Sequence, residues 1–273
     1  MSITTRDQLV DALGNNASRI VIDKASLANA AAGQIFSLWR ATGVPGQGAI
    51  PGAAAVLDHT LPGAMGFTQQ TAPATSYFAW LRGATGNATM AVEIHDRLAH
   101  MGGLSGIVTT AQTVAVDVTG TSNNLAARRG DTNYSDVSWW LEWYTDTGAT
   151  ASNATVNVTY DDASTGNLAV IAVGGTVRAG RMIPLVPAVA GRFIRAVNNV
   201  TLSASTGTAG SFGVTATRLR AAFDTYVANK PETYDWALLG QPEIFNSSCL
   251  FPLVVCNTTS TGTVRAQGKI AHG

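Results

Sequence analysis

Residues 136–162 read DVSWWLEWYTDTGATASNATVNVTYDD, and the fold turns on how the first third of that stretch is taken. Trp139, Trp140 and Trp143 are three of the chain's six tryptophans. As a strand, SWWLEWY sends Trp139, Leu141 and Trp143 to one face and Trp140, Glu142 and Tyr144 to the other. The first set is wholly apolar and belongs in a core. The second mixes two aromatics with a carboxylate. That composition suits a subunit interface, packing under a loop of the same chain, or a sugar-stacking surface. Trp140 and Tyr144 are therefore the candidate interaction residues.

The same pattern extends in both directions. TSYFAWLRGA, ATMAVEIHDRL, AQTVAVDVTG, NATVNVTYDD, NLAVIAVGG, RFIRAVNNVTLSAS and SFGVTATRLRA are short, rich in β-branched and aromatic residues, and punctuated by Gly, Asn, Asp, Ser and Thr. YDDASTGN and SASTGTAGSF read as hairpin turns with glycine where a positive φ is needed. The N-terminus differs. In TTRDQLVDALG, Thr5 and Gln8 have capping-box spacing, Leu9, Val10 and Leu13 share a face, and Gly14 terminates. RIVID follows as a short strand. Residues 24–43 fit a helix through their alanines and a strand through the alternation from Ile35 to Trp39.

Residues 43–66, GVPGQGAIPGAAAVLDHTLPGAMG, have no periodicity and form an ordered connection or an arm to a neighbour. Deleting them is expected to leave a foldable domain and abolish assembly. Residues 221–240 suggest a short helix ending before Pro231. The tail from Ser248 reads as a strand, a turn and a last extended piece, at a sheet edge or crossing to another subunit. The fold class is thus mainly β, an antiparallel, jelly-roll-like β-sandwich with a small helical N-terminal segment. Its expected divisions are 1–42 (helix and short strand), 43–66 (connection or arm) and 67–273 (sandwich body with C-terminal extension).

Composition narrows function. Charged residues are 12% of the 273, against roughly 25% in a typical soluble domain, and 17 basic residues balance 17 acidic ones. Such a surface resists self-association weakly, which points to assembly. The densest basic clusters are Arg128-Arg129 and Arg178 with Arg181, too short for a nucleic-acid stripe. No run reaches the ~20 apolar residues of a membrane span. The start, MSITTRDQLVDALG, lacks an apolar signal-peptide core, so assembly in a cytoplasm is expected. Cys249 and Cys256 read as buried free thiols. Asn-x-Ser/Thr triplets such as Asn153–Thr155 follow from composition.

Candidate chemistry is sparse. His95 and His100, near Glu93 and Asp96, lack the HExxH spacing of a zinc site. His59 follows Asp58, but Ser105 in GLSG has no nucleophile-elbow context. Asp131, Asp161 and Asp162 sit at turns, where Asx hydrogen bonding accounts for them better than calcium does. No catalytic, cofactor-binding or metal residue is assigned.

Four segments in order, FSLWRATGVPGQGAIPGAAAV (36–56), HDRLAHMGGLSGIVTTAQTV (95–114), WLEWYTDTGATASNATVNVTYDD (140–162) and VNNVTLSASTGTAGSFGVT (197–215), resemble a family of tailed-bacteriophage virion proteins. The resemblance implies a non-enzymatic virion structural protein and carries over no functional residue. The expected role is head-associated, as capsid or capsid decoration. A neck, collar or tail component, or a carbohydrate-binding module at a virion tip using Trp140 and Tyr144, is the alternative. Expected partners are further copies of the chain and other virion proteins, with no cofactor, no direct nucleic-acid role and no membrane.

Overall fold

The computed structural model describes residues 2–28 and 30–273. In chain order the elements are α1 (Arg6–Asn15), β1 (Ala17–Lys24), β2 (Ile35–Ser37), β3 (Gly43–Val44), β4 (Ala55–Val56), β5 (Ser76–Thr85), β6 (Met90–Ser105) and β7 (Gln112–Asp117). Next come α2 (Leu125–Arg128), β8 (Ser138–Trp143), β9 (Ala151–Tyr160), β10 (Thr165–Asn167), β11 (Ile171–Gly174), β12 (Arg181–Pro184) and β13 (Ile194–Leu202). The chain finishes with β14 (Ser211–Thr225), β15 (Glu232–Asp235), α3 (Trp236–Leu239), β16 (Leu250–Val255) and β17 (Val264–His272). The protein is mainly β with antiparallel sheets and a small N-terminal helix, as expected.

Two compact units form, one from Met1–Gly48, Asp58–Asp96 and Leu219–Gly273, the other from Ala49–Leu57 and Arg97–Arg218. This is not the expected division, in which 67–273 made a single body. The long strands β6 and β14 each change unit partway along, at 96/97 and 218/219. No turn or linker marks either point, so composition carries no sign of the boundary.

In the second unit a sheet ordered β10-β9-β13-β7 covers the strands β14, β8 and β12, which pair side by side. Alternate residues of β9, Val156, Val158 and Tyr160, join Val114, Val116, Val197 and Val200 in one core with Trp139, Leu141 and Trp143. This two-layer packing is why the strands read apolar at every second position. In the first unit the sheet is ordered β15-β5-β17-β1-β3. Its Ile20, Ile22, Phe78 and Ile270 share a core with Phe36, Val92, Ile94, Leu250 and Val254 of β2, β6 and β16. Strand β16 pairs with β2 on one side and β6 on the other, and Leu250, Leu253, Val254 and their neighbours are buried on both faces, which explains its unbroken apolar run. Cys249 and Cys256 flank it as buried free thiols.

Helix α1 begins with the expected capping box: Gln8 N–H donates to Thr5 Oγ1 at 3.3 Å and Thr5 N–H to Gln8 Oε1 at 3.1 Å. Leu9 and Ala12 pack on Ala79 and Ala271. Val10, placed on that face by spacing, is 62% exposed, and the helix runs through Gly14 to Asn15. Around residue 35 the strand alternative prevails. The short helix near residue 230 follows Pro231 rather than preceding it, because 219–225 continue β14. In the hairpin after β9 the positive φ falls on Ala163 (69°). The tail neither crosses to another subunit nor lies at an edge, since β17 sits between β5 and β1.

Residues 43–66 are built into their own chain. The Lys24 ammonium, fully buried, donates to the carbonyls of Ala41, Pro45 and Gly46 at 3.0, 2.6 and 3.1 Å. Leu57, Ala64 and Met65 are buried. Deletion of 43–66 would therefore uncover core, and the expectation of a foldable remainder is corrected.

Candidate functional site

The tryptophan strand β8 lies between β14 and β12, so both of its hydrogen-bonding edges are paired. On the inner face Trp139 Nε1–H donates to the Ile194 carbonyl at 2.8 Å. Trp143 stacks on Phe212, centroids 5.4 Å apart and planes at 14°. This half of the parity reading holds.

The other face is also closed over. Trp140 and Tyr144 are 6% and 5% exposed. Trp140 Nε1–H donates to Thr217 Oγ1 at 2.8 Å. Glu142 receives the Arg97 guanidinium as a fork, Nη1 to Oε1 at 3.2 Å and Nη2 to Oε2 at 2.5 Å, and the Thr215 hydroxyl at 2.5 Å. Tyr144 completes the cluster, its hydroxyl 3.1 Å from Arg97 Nη2 and 3.3 Å from Glu142 Oε2. Burial, reinforced by the Glu142 charge, pushes the Tyr144 phenol above its ordinary range. Arg97 Nε–H donates to His100 Nδ1 at 2.9 Å, and burial with the Arg97 charge pushes His100 down to about 2.

The candidate interaction surface of Trp140 and Tyr144 is thus corrected to packing within the chain. Packing of the aromatics removes Glu142 from water, and a carboxylate so buried needs the Arg97 fork and the Thr215 hydroxyl as partners. Arg97 sits in IHDRLAH between other ionisable residues, so nothing local marks it as buried, and its partner stands 45 positions away.

What β8 leaves accessible is a shallow apolar groove beside it in the second unit, lined by Val137, Trp139, Trp140, Pro184, Val186 and Phe193. Residues 184–187 line it, within the run 183–190, IPLVPAVA, which has no polar side chain. Leu185 is anchored by its N–H to the Trp139 carbonyl at 2.8 Å, while Val186 and Val189 are 66% and 48% exposed. Prolines at 184 and 187 remove two donors and stiffen the segment. Sequence reading passed over this stretch, although eight consecutive apolar residues outside a long strand were the available signal.

The remaining candidates resolve locally. His95 Nε2 is 2.8 Å from Glu93 Oε2, and Asp96 accepts from Ser248 Oγ and Cys249 N–H, both at 2.8 Å. Ser105 Oγ donates to the Ala209 carbonyl at 3.3 Å. Asp162 accepts from the hydroxyl and N–H of Ser164, which lower its pKa, and Asp131 from Thr132 N–H. Asp161 is lowered first by the Phe193 N–H. Among the described residues no three His, Cys, Asp or Glu side chains come together as metal ligands, and no helix is long and apolar enough to cross a membrane.

No protein-family model matches the chain. No curated protein matches it either. Among solved structures, the structure of infectious bursal disease virus Gx strain aligns with 94% of this chain and 80% of its own at 10% identity, with a TM-score of 0.19. The crystal structure of the infectious bursal disease virus VP2 subviral particle aligns over the same shares at 11% identity and 0.18. At such TM-scores the alignments carry no argument about fold or function.

Proposed function

We propose that this chain is a non-enzymatic virion structural protein that self-associates through the apolar segment 183–190. The carrying observation is that segment: Val186 is exposed in a tryptophan-lined groove and Val189, three residues on, is exposed too, with the nearest charges in sequence at Arg181 and Arg192. Exposed contiguous apolar surface of this kind favours burial against another protein. A chain with only 12% charged residues and no net charge opposes that association little. Repetition of one such contact about a symmetry axis gives a closed ring or shell.

The phage reading, with a head-associated place as capsid or decoration, rests on the sequence resemblance. Neck, collar or tail placement is the second reading, to be separated by the symmetry of the assembled particle. A carbohydrate-binding role through Trp140 and Tyr144 loses its stacking faces to burial.

Mass photometry of the purified chain over a concentration series tests the proposal. Native protein is expected to form discrete oligomers, and Val186→Asp with Val189→Asp to reduce them to monomer with an unchanged far-ultraviolet circular dichroism spectrum. A native chain that stays monomeric, or a double variant that assembles normally, would sink it.

A further inference from the structure

A cationic groove lies on the outward face of the five-stranded sheet in the first unit. Ile20, Ile22 and Lys24 of β1 point inward, leaving Arg19, Val21 and Asp23 outward. Antiparallel register extends these positions across the sheet. Arg19 stands opposite Lys269; Val21 opposite Gln267, itself opposite Arg82; Asp23 opposite Arg265, itself opposite Ala84. Three successive outward rows therefore carry one groove-lining arginine each: Arg19, Arg82 and Arg265. Rows two residues apart are spaced by roughly 7 Å.

Asp23 is the lone carboxylate lining the groove, and Arg265 Nε holds it at 3.2 Å. Arg19 Nη2 reaches Gln267 Oε1 at 3.3 Å. Arg82, paired through its backbone in β5, shows no side-chain hydrogen bond or ion pair among the described residues. Lys269 is committed elsewhere, its ammonium donating to the Leu13 carbonyl at 2.8 Å. Val21 and Pro231 supply apolar surface between the charges.

We propose that this groove docks an extended acidic segment of a partner polypeptide, with carboxylates on alternate residues meeting Arg19, Arg82 and Arg265. An extended chain repeats same-side side chains every ~7 Å, the spacing of the rows. The long arginine side chains bridge the sideways stagger of one or two strand spacings, ~4.8 Å each, between β1, β17 and β5. Guanidinium forks pair with carboxylates bidentately, and the intervening apolar surface accommodates the aliphatic parts of such a segment. Nucleic acid fits less well. No aromatic ring among the described residues lines the groove to stack a base. The proposal stands on the first unit alone and is independent of segment 183–190.

The test is fluorescence anisotropy with a labelled alternating Glu-Val octapeptide against the full chain at low salt. The matching Gln-Val peptide and an oligothymidylate of the same length serve as comparisons. Saturable binding of the Glu-Val peptide is expected, weakened about tenfold or more by Arg82→Gln with Arg265→Gln and similarly by raised salt. Both substituted side chains are exposed, and an unchanged thermal midpoint would confirm that the variant is folded. Arg82→Lys, keeping the charge, should retain most of the binding. No saturable binding, equal binding of the Gln-Val peptide, tighter binding of the oligothymidylate, or full binding by the folded double variant would each overturn the proposal.

Discussion

Arg97 and Glu142, 0% and 1% exposed, show what one charged residue on an aromatic strand requires. Neither ion has water to fall back on, so each depends on the other and on Thr215, Tyr144 and His100 for hydrogen bonds. Removing one partner strands the other. Glu142→Ala is expected to lower the unfolding free energy by about 3–5 kcal/mol in urea titration. Arg97→Met combined with Glu142→Leu should recover most of that loss, since an apolar pair of similar volume carries no desolvation cost. A double variant as unstable as the single one would contradict this account. Parity showed in the sequence that Glu142 shares a face with Trp140 and Tyr144. The arginine that closes that face comes from β6, and local pattern does not register strands distant in sequence.

Among the elements, the glycine- and proline-rich connection looked like an arm because it has no period. Two of its glycines answer to Trp39 instead. A Cβ on Gly48 would lie 1.9 Å from the Trp39 ring, and one on Gly63 2.5 Å from it. Backbone approaches the indole on both, and any larger residue must displace it. Gly63→Ala is expected to cost about 1–3 kcal/mol by overpacking. Gly52→Ala, which would meet nothing within 4 Å, should stay within about 0.5 kcal/mol of native. Equal thermal midpoints for the two variants would show that Trp39 is not clamped in this way. The same contrast separates α1, readable because its cap is made by residues three apart, from β17, whose central place depends on neighbours from β1 and β5.

At the scale of the whole molecule, each unit encloses a neutral histidine. In the second, His100 is held far below its ordinary pKa of 6.5 by burial and Arg97. In the first, burial lowers His272, whose Nε2 accepts the Ser18 N–H at 3.2 Å. For both, the folded pKa lies below the unfolded one, so the unfolded chain binds more protons as the medium is acidified. Their contribution to stability is fully present above pH 6.5 and is lost as pH falls beneath it. For His100 the slope approaches about 1.4 kcal/mol per pH unit between pH 6 and 4.5. Denaturant midpoints over that interval should fall for the native chain and fall less for His100→Asn, which keeps an acceptor for Arg97 but does not titrate. An identical slope in the variant would assign the acid sensitivity elsewhere.

The sequence by itself determined the β class, the inner face of the tryptophan strand, the capped N-terminal helix and the free buried thiols. Each follows from period, spacing or composition over a few residues. Tertiary structure decided the two interleaved units, the closure over Trp140 and Tyr144, the docking of 43–66, and the apolar and cationic surfaces left in solvent. A strand's own pattern says which residues share a face. Whether that face meets water depends on what the rest of the chain lays against it, and here that was an arginine 45 positions away.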